Sequence, residues 1–260
     1  MAQQAGQVSP DGQWRWSGTE WVPNQPGSGP AQGAYGPPWA RPYEPARYRA
    51  TIVSIFLGLN AVGILMLMVF DGMVIAGGGV IGIGTDAQVI VEGLVALIAL
   101  IVYYGSFIPA IVFFCMWDHR VVRNMPALGS PDPRWTPSGA VVRCFIPFLN
   151  LVHPLWSVLD AWRGADPSTR WTSVQTRKGL GAPSLITGWW AAWLIGGWAS
   201  NISSRMTNSD TASVVVAGAW ISILSALVLV GAAALAILVV REVTARQDRK
   251  QELITSGQLA

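Results

Sequence analysis

Four apolar runs, each long enough to cross a bilayer as a helix, constrain this chain more than any other feature. They cover about residues 48–70, 88–117, 183–203 and 211–240. A helix rises about 1.5 Å per residue and the hydrocarbon of a bilayer is about 30 Å thick, so roughly 20 apolar residues suffice. In lipid every backbone polar group must be satisfied within its own segment, so runs of this kind are helices. Composition agrees: 52% of residues are hydrophobic and 12% charged, with mean hydropathy +0.40. That is about half the charge of a typical soluble domain. The expected fold is an all-α membrane protein with four transmembrane helices in a domain at 47–245, preceded by a tail at 1–46 and followed by a cytoplasmic tail at 246–260.

Between the second and third runs lies a stretch that enters this scheme differently. Residues 135–163 are apolar, flanked by arginines and interrupted by Pro147 and Pro154. Ser138–Val152 would measure about 22 Å as a helix, too short to span comfortably. Each proline removes a backbone donor and breaks the helix, and the freed carbonyls need donors, for which Asn150, His153 and Arg143 are available. The expectation is a Pro-broken segment on the cytoplasmic side, either re-entrant or lying in the interface. After the break, Leu155, Val158, Leu159 and Trp162 recur at helical spacing with Ser157, Asp160 and Arg163 opposite, the pattern of an amphipathic surface helix. Asp166-Pro167 then reads as an N-cap followed by Pro at the first helical position, opening a short helix that ends near Gly179.

The arginines set the orientation. With four spans, sixteen of the seventeen Lys and Arg fall on one side, and Arg205 alone on the other. The positive-inside rule then places both termini and the central segment in the cytoplasm. A crossing at 138–152 would invert everything after it and move the C-terminal cluster outside. Fifteen of the basic residues are arginine, a codon bias that points to a GC-rich bacterial genome and so to a bacterial cell membrane. The first forty-odd residues are polar, with no secretory signal, so the first span is expected to serve as the uncleaved targeting signal.

The tail carries many Pro, Gly and Gln and too few apolar side chains to offset the entropy of ordering. Within it, residues 9–23 differ. Trp14 and Trp16 alternate, Ser17-Gly18 supplies a turn, and Trp21 returns, which suits a small β-hairpin faced with tryptophan. The spacing resembles a short Trp-rich module, W-x-W-x-G-x-x-W, and Trp14, Trp16, Gly18 and Trp21 are its partner-binding candidates.

Smaller motifs resolve to structural roles. Gly77, Gly79 and Gly82 match G-x-G-x-x-G but lie between two hydrophobic helices, not in a strand-to-helix unit, so no dinucleotide site is expected. Asn60 is the one strongly polar residue inside the first span and is expected to hydrogen-bond a neighbouring helix. Gly188, Gly196 and Gly197 would let the third span approach a neighbour, and Gly218, Ser222 and Ala226 form a small-residue ridge on the fourth. Cys115 and Cys144 are too few for a disulfide scaffold and read as free thiols. His119 and His153 have no metal-ligand spacing. Catalytic residues, metal ligands and cofactors are not expected.

The run from Trp117 through Asn124, Leu128-Gly129-Ser130-Pro131, Trp135-x-Pro137-x-Gly139, Pro147-x-x-Asn150-Leu151-x-x-Pro154 and Leu159-x-x-Trp162, with Asp166-Pro167 and the pair Trp189-Trp190, resembles the bacterial membrane family catalogued as domain of unknown function 4328. The resemblance covers about residues 48–245 and implies architecture, with structural roles for these motif residues and no activity. Three functions are open: a non-enzymatic envelope, signalling or scaffolding protein that binds a protein partner through the tail or the amphipathic segment; a small-solute transporter or channel with the broken segment lining the path; and a membrane enzyme using Asp118, Asp160 or Asp166. The first fits best. The lipid bilayer is an expected partner and nucleic acid is not, and the sequence leaves the oligomeric state open.

Overall fold

The computed structural model describes residues 9, 14–16, 20–23, 37–79 and 85–259. The chain divides into two compact units, Met1–Ala40 and Arg41–Ala260. In the first, strands β1 (Trp14–Trp16) and β2 (Trp21–Pro23) pair antiparallel, with Trp16 opposite Trp21. The two rings meet edge to face at 5.6 Å, while Trp14 and Trp21 stay exposed. The Ser17-Gly18 turn, most of the tail and Gly82 lie outside the described residues.

The second unit is helical. Its elements are α1 (Arg47–Ala76), α2 (Asp86–Asn124), α3 (Pro137–Arg143), a 3-10 turn (Leu149–Leu151), α4 (His153–Gly164), α5 (Val174–Gly179), α6 (Ser184–Met206) and α7 (Ala212–Thr255). Three of them, α1, α2 and α7, are long and apolar enough to cross a membrane. Helix α6 has the length, 23 residues, but tryptophan and glycine stand where the others carry aliphatic side chains, and its composition does not place it with them. At 44 residues α7 is about 66 Å long, twice what hydrocarbon requires. Its apolar part ends at Val240, and the helix runs on through a charged extension.

The long helices pack in the order α2–α1–α7–α6, each against its neighbours. Close approaches occur where side chains vanish. A Cβ on Gly63 would come within 2.8 Å of the Tyr103 backbone, and one on Gly196 within 2.7 Å of Leu229. Gly188 and Gly197, also read as approach points, meet nothing within 4 Å. The ridge at Gly218 packs on Met206 and Thr207, and Ser203 donates to the Gly218 carbonyl at 2.9 Å. Asn60 donates to the Tyr103 carbonyl at 3.1 Å and joins α1 to α2, the interhelical use its sequence context suggested.

Both ends of the helical unit lie at the same end of this bundle. Tyr43 donates to Asp248, and Arg47 pairs with Asp248 at 2.5 Å. The Glu44 carboxylate bonds Arg120 and Arg123, and its backbone is gripped by the Asn124 side chain through both amide atoms, at 3.2 and 2.9 Å. Residues 41–46 therefore belong with the helices.

Two local readings are corrected. Asp166 does not cap a helix: its carboxylate accepts from the Ser168 N–H and hydroxyl in a two-residue turn, and the short helix begins at Val174 with Ser173 as its cap. Helix α4 is not a free surface helix. Val158, Leu159 and Ala161 are buried, and so is Ser157 on the side taken as polar. Ser157 donates to both Asp118 oxygens, at 2.9 and 3.0 Å, so α4 is held on both faces.

Candidate functional site

The chain's polar break and its aromatic density converge on one cavity. Edge helices α2 and α6 are not a packed pair among the described residues; they meet where Phe114 approaches Trp189, 5.9 Å between rings. Beside that contact they enclose a cavity of about 440 Å³. It is lined by Tyr103, Phe107 and Phe114 of α2 and by Trp189, Trp190 and Trp193 of α6, with α7 contributing Ala232, Ala233 and Ala236. Small residues on α7 leave the space that the rings line. Trp190 and Trp193 stack at 4.8 Å. Ile111 lines the cavity and is still 37% exposed, so the space opens along the α2 edge. Outward of this gap Ile108, Val112, Ile195 and Trp198 are exposed. Its polar atoms come from Asn60, Ser200 and Asn201 along the walls, and from Cys115, Cys144 and Asn150 at the closed end.

The closed end is the Pro-broken segment. Helix α3 starts as the sequence W-x-P-x-G dictates: Thr136 accepts from Gly139 N–H as N-cap, and Pro137 follows at the first turn. A Cβ on Gly139 would crowd the Arg143 and Thr136 side chains at 2.7 Å. Trp135 is clasped by Arg143 at 4.3 Å and Arg134 at 5.1 Å, with His153 edge-on at 5.2 Å. The helix stops at Cys144, before Pro147, and Phe148 takes φ +64 and ψ −40 with the Leu149 N–H donating to the Pro147 carbonyl at 2.8 Å, a γ-turn of the rare, strained kind. Three donors serve the freed carbonyls. Arg143 bonds the Gly139 carbonyl at 3.1 Å, His153 the Ala140 carbonyl at 2.8 Å, and Trp190 the Leu151 carbonyl at 2.9 Å. Two of these were expected from sequence. Trp190 was not, and Asn150 lines the cavity with Pro154. Burial holds the His153 imidazole below its usual range, against the Ala140 bond, which raises it. Seen from outside, Val142, Phe145, Ile146, Phe148 and Leu149 of this segment are exposed, Phe148 by 86%.

Beside the cap lies a layer of buried polar groups that fixes it to the bundle. Trp117, fully buried, donates to Thr244 at 2.9 Å, and Asn124 reaches Gln247 at 3.2 Å. Arg177 is 1% exposed and bonds Asp160 at 2.8 Å, the Thr172 carbonyl at 2.8 Å and the Asp132 carbonyl at 2.6 Å. Gly129, at φ +81, lies against the Arg170 carbonyl, where any Cβ would overlap it. Lys250 is wholly buried and donates to the Gly164 carbonyl at 3.0 Å. Burial lowers its ammonium to about 8; Asp166 opposes the shift, and Arg170, Arg246 and Arg177 add to it. Arg246 stacks on Trp162 at 4.0 Å and pairs with Asp166 at 3.5 Å. For Asp166, burial acts upward, but the Ser168 bonds and the nearby cations hold the carboxyl below its usual range.

The motif residues thus gather at one end of the bundle. Pro147, Asn150, Pro154, Trp189 and Trp190 build or line the closed end of the cavity. Trp117, Asn124, Trp162 and Asp166 brace the extension of α7. Cys115 and Cys144 are free thiols, as the sequence reading expected; what that reading missed is that both line one cavity, and the role of α7 beyond Val240. One signal for the second was present: Val240, Val243, Thr244 and Gln247 repeat at helical spacing and are all buried. Among the described residues there is no group of three or more metal-ligating side chains. A family model described as Domain of unknown function (DUF4328) matches residues 84–245. No curated protein and no solved structure matches this chain.

Proposed function

This chain belongs to the family described as Domain of unknown function (DUF4328), and on that premise we propose that it is a multi-pass membrane protein that holds an amphipathic small molecule in the cavity under its Pro-broken cap. In this reading α6 is the fourth span, with Trp189, Trp190 and Trp193 lining the cavity and Trp198 facing outward. The exposed apolar tip from Phe145 to Leu149 enters one leaflet and turns back. Both ends of the helical domain lie on the cytoplasmic side of a bacterial cell membrane, where the arginines concentrate. The role is binding or passage, not catalysis.

The observation that carries the reading is the cavity itself. It is walled by aromatic rings, carries a few polar groups and opens between two helices that would face lipid, which is how sites for largely apolar ligands are built. Broken helices with polar groups at membrane depth are also how transporters shape a path, so the cap lining this cavity favours the second sequence-derived function over docking through α4, whose faces are already occupied. The test uses the full-length protein in nanodiscs with a brominated fatty acid, which quenches the cavity tryptophans. Saturable quenching is expected, weakened at least tenfold by Ala233→Phe, which fills the space. Quenching that never saturates, or that Ala233→Phe leaves unchanged, overturns the proposal.

A second reading concerns the tail. Trp14 and Trp21 are exposed on two paired strands, a surface suited to a protein partner. Crosslinking with and without residues 1–40 tests it; a partner retained after deletion contradicts it.

A further inference from the structure

The chain has two cysteines, Cys115 in α2 and Cys144 at the end of α3. Both line the cap end of the cavity and lie next to each other there, and the Cys144 thiol donates to the Ala140 carbonyl at 3.4 Å. Helices α2 and α3 pack together, which brings the two positions to one place. Their exposures differ: Cys115 is buried and Cys144 half-exposed. The backbone just after Cys144 is irregular from Phe145 to Phe148, so Cys144 is not held in a helix on that side as it approaches the Cα spacing of about 4.4–6.8 Å that a disulfide requires. Neither thiol has another cysteine in the chain to compete for it.

We propose that Cys115 and Cys144 form a reversible dithiol–disulfide couple that staples the Pro-broken cap to α2 at the closed end of the cavity. The co-reactant is a low-molecular-weight disulfide. Cys144, the accessible partner, loses its proton and attacks one sulfur of that disulfide. A Cys144 mixed disulfide forms, and the first small thiolate leaves and takes up a proton. Cys115 then attacks the Cys144 sulfur, the intramolecular S–S bond forms, and the second small thiol leaves. Two protein thiols are oxidised and one small disulfide is reduced to two thiols. In a reducing compartment such a couple is transient, the behaviour of a redox sensor. The pairing does not depend on what the cavity holds.

The test uses the full-length protein in nanodiscs, reduced, freed of reductant and exposed to oxidised glutathione, then denatured, treated with N-ethylmaleimide and weighed intact. The wild type is expected to lose the mass of two hydrogens, remain monomeric on a non-reducing gel and take up no maleimide. Cys115→Ser is expected to stop at one glutathione adduct on Cys144. Cys144→Ser should keep a free Cys115 that reacts with maleimide only after denaturation. Wild-type protein that retains two maleimide-reactive thiols, keeps a stable glutathione adduct, or crosslinks between chains overturns the proposal.

Discussion

At the scale of residues, the cap is held by ions that are buried and satisfied. Arg177 bonds two carboxylates and two carbonyls while 1% exposed. Removing one partner of a buried pair leaves the other uncompensated and costs about 3–5 kcal/mol, whereas removing both can be nearly neutral. Arg177→Ala should therefore destabilise the helical unit by about that amount in denaturant titration, with Arg177→Met plus Asp160→Asn recovering much of it; equal losses in single and double variants would contradict the role. Lys250 gives a pH signature. Its folded value of about 8 lies below the ordinary lysine value of about 10.4. Between those values the unfolded chain binds a proton that the folded one does not, so stability rises with pH there. Thermal unfolding should shift upward from pH 8 to 9.5 in the wild type, and Lys250→Met should remove that rise. A flat wild-type profile would show that Lys250 is hydrated.

At the scale of elements, long helices were legible and their use was not. Apolar run length alone locates α1, α2 and α7, because backbone satisfaction in lipid leaves no other structure. Helix α4 was misplaced because periodicity reveals an apolar stripe but not a second partner. Ser157 looked solvent-facing until Asp118 of α2 came across to meet it. The short helix start was misplaced for a related reason: Asp166 and Ser173 are both competent caps, and the local competition between a turn and a helix was won by the Asp166–Ser168 turn. The cavity had no sequence signal, since its walls come from four helices and its space from alanines on α7. Close packing makes its own prediction. Gly196 admits Leu229 at a distance no Cβ allows, while neighbouring Gly197 meets nothing. Gly196→Leu should separate α6 from α7 and lower the unfolding midpoint, and Gly197→Leu should change it little. The opposite order would mean that α6 turns a different face to α7.

At the scale of the whole molecule, the proposed topology turns on the broken segment entering and leaving on one side. Within the helical unit, Tyr43 and Arg47 touch Asp248, and Asn124 at the end of α2 binds both Glu44 and Gln247. The start of α1, the end of α2, the cap and the extension of α7 share one end, while Gly79 and Ala212 approach each other at the opposite one. An even number of crossings, with a cap that enters and returns, satisfies both this packing and the arginine distribution. Site-directed thiol labelling tests it most directly. In a background lacking Cys115 and Cys144, single cysteines at Ser28→Cys, Asn208→Cys and Gln258→Cys are exposed to a membrane-impermeant maleimide in intact cells stripped of their outer layers. The expected result is labelling of position 208 alone until the membrane is opened, after which 28 and 258 react together. Positions 28 and 258 reacting from opposite sides would contradict the account.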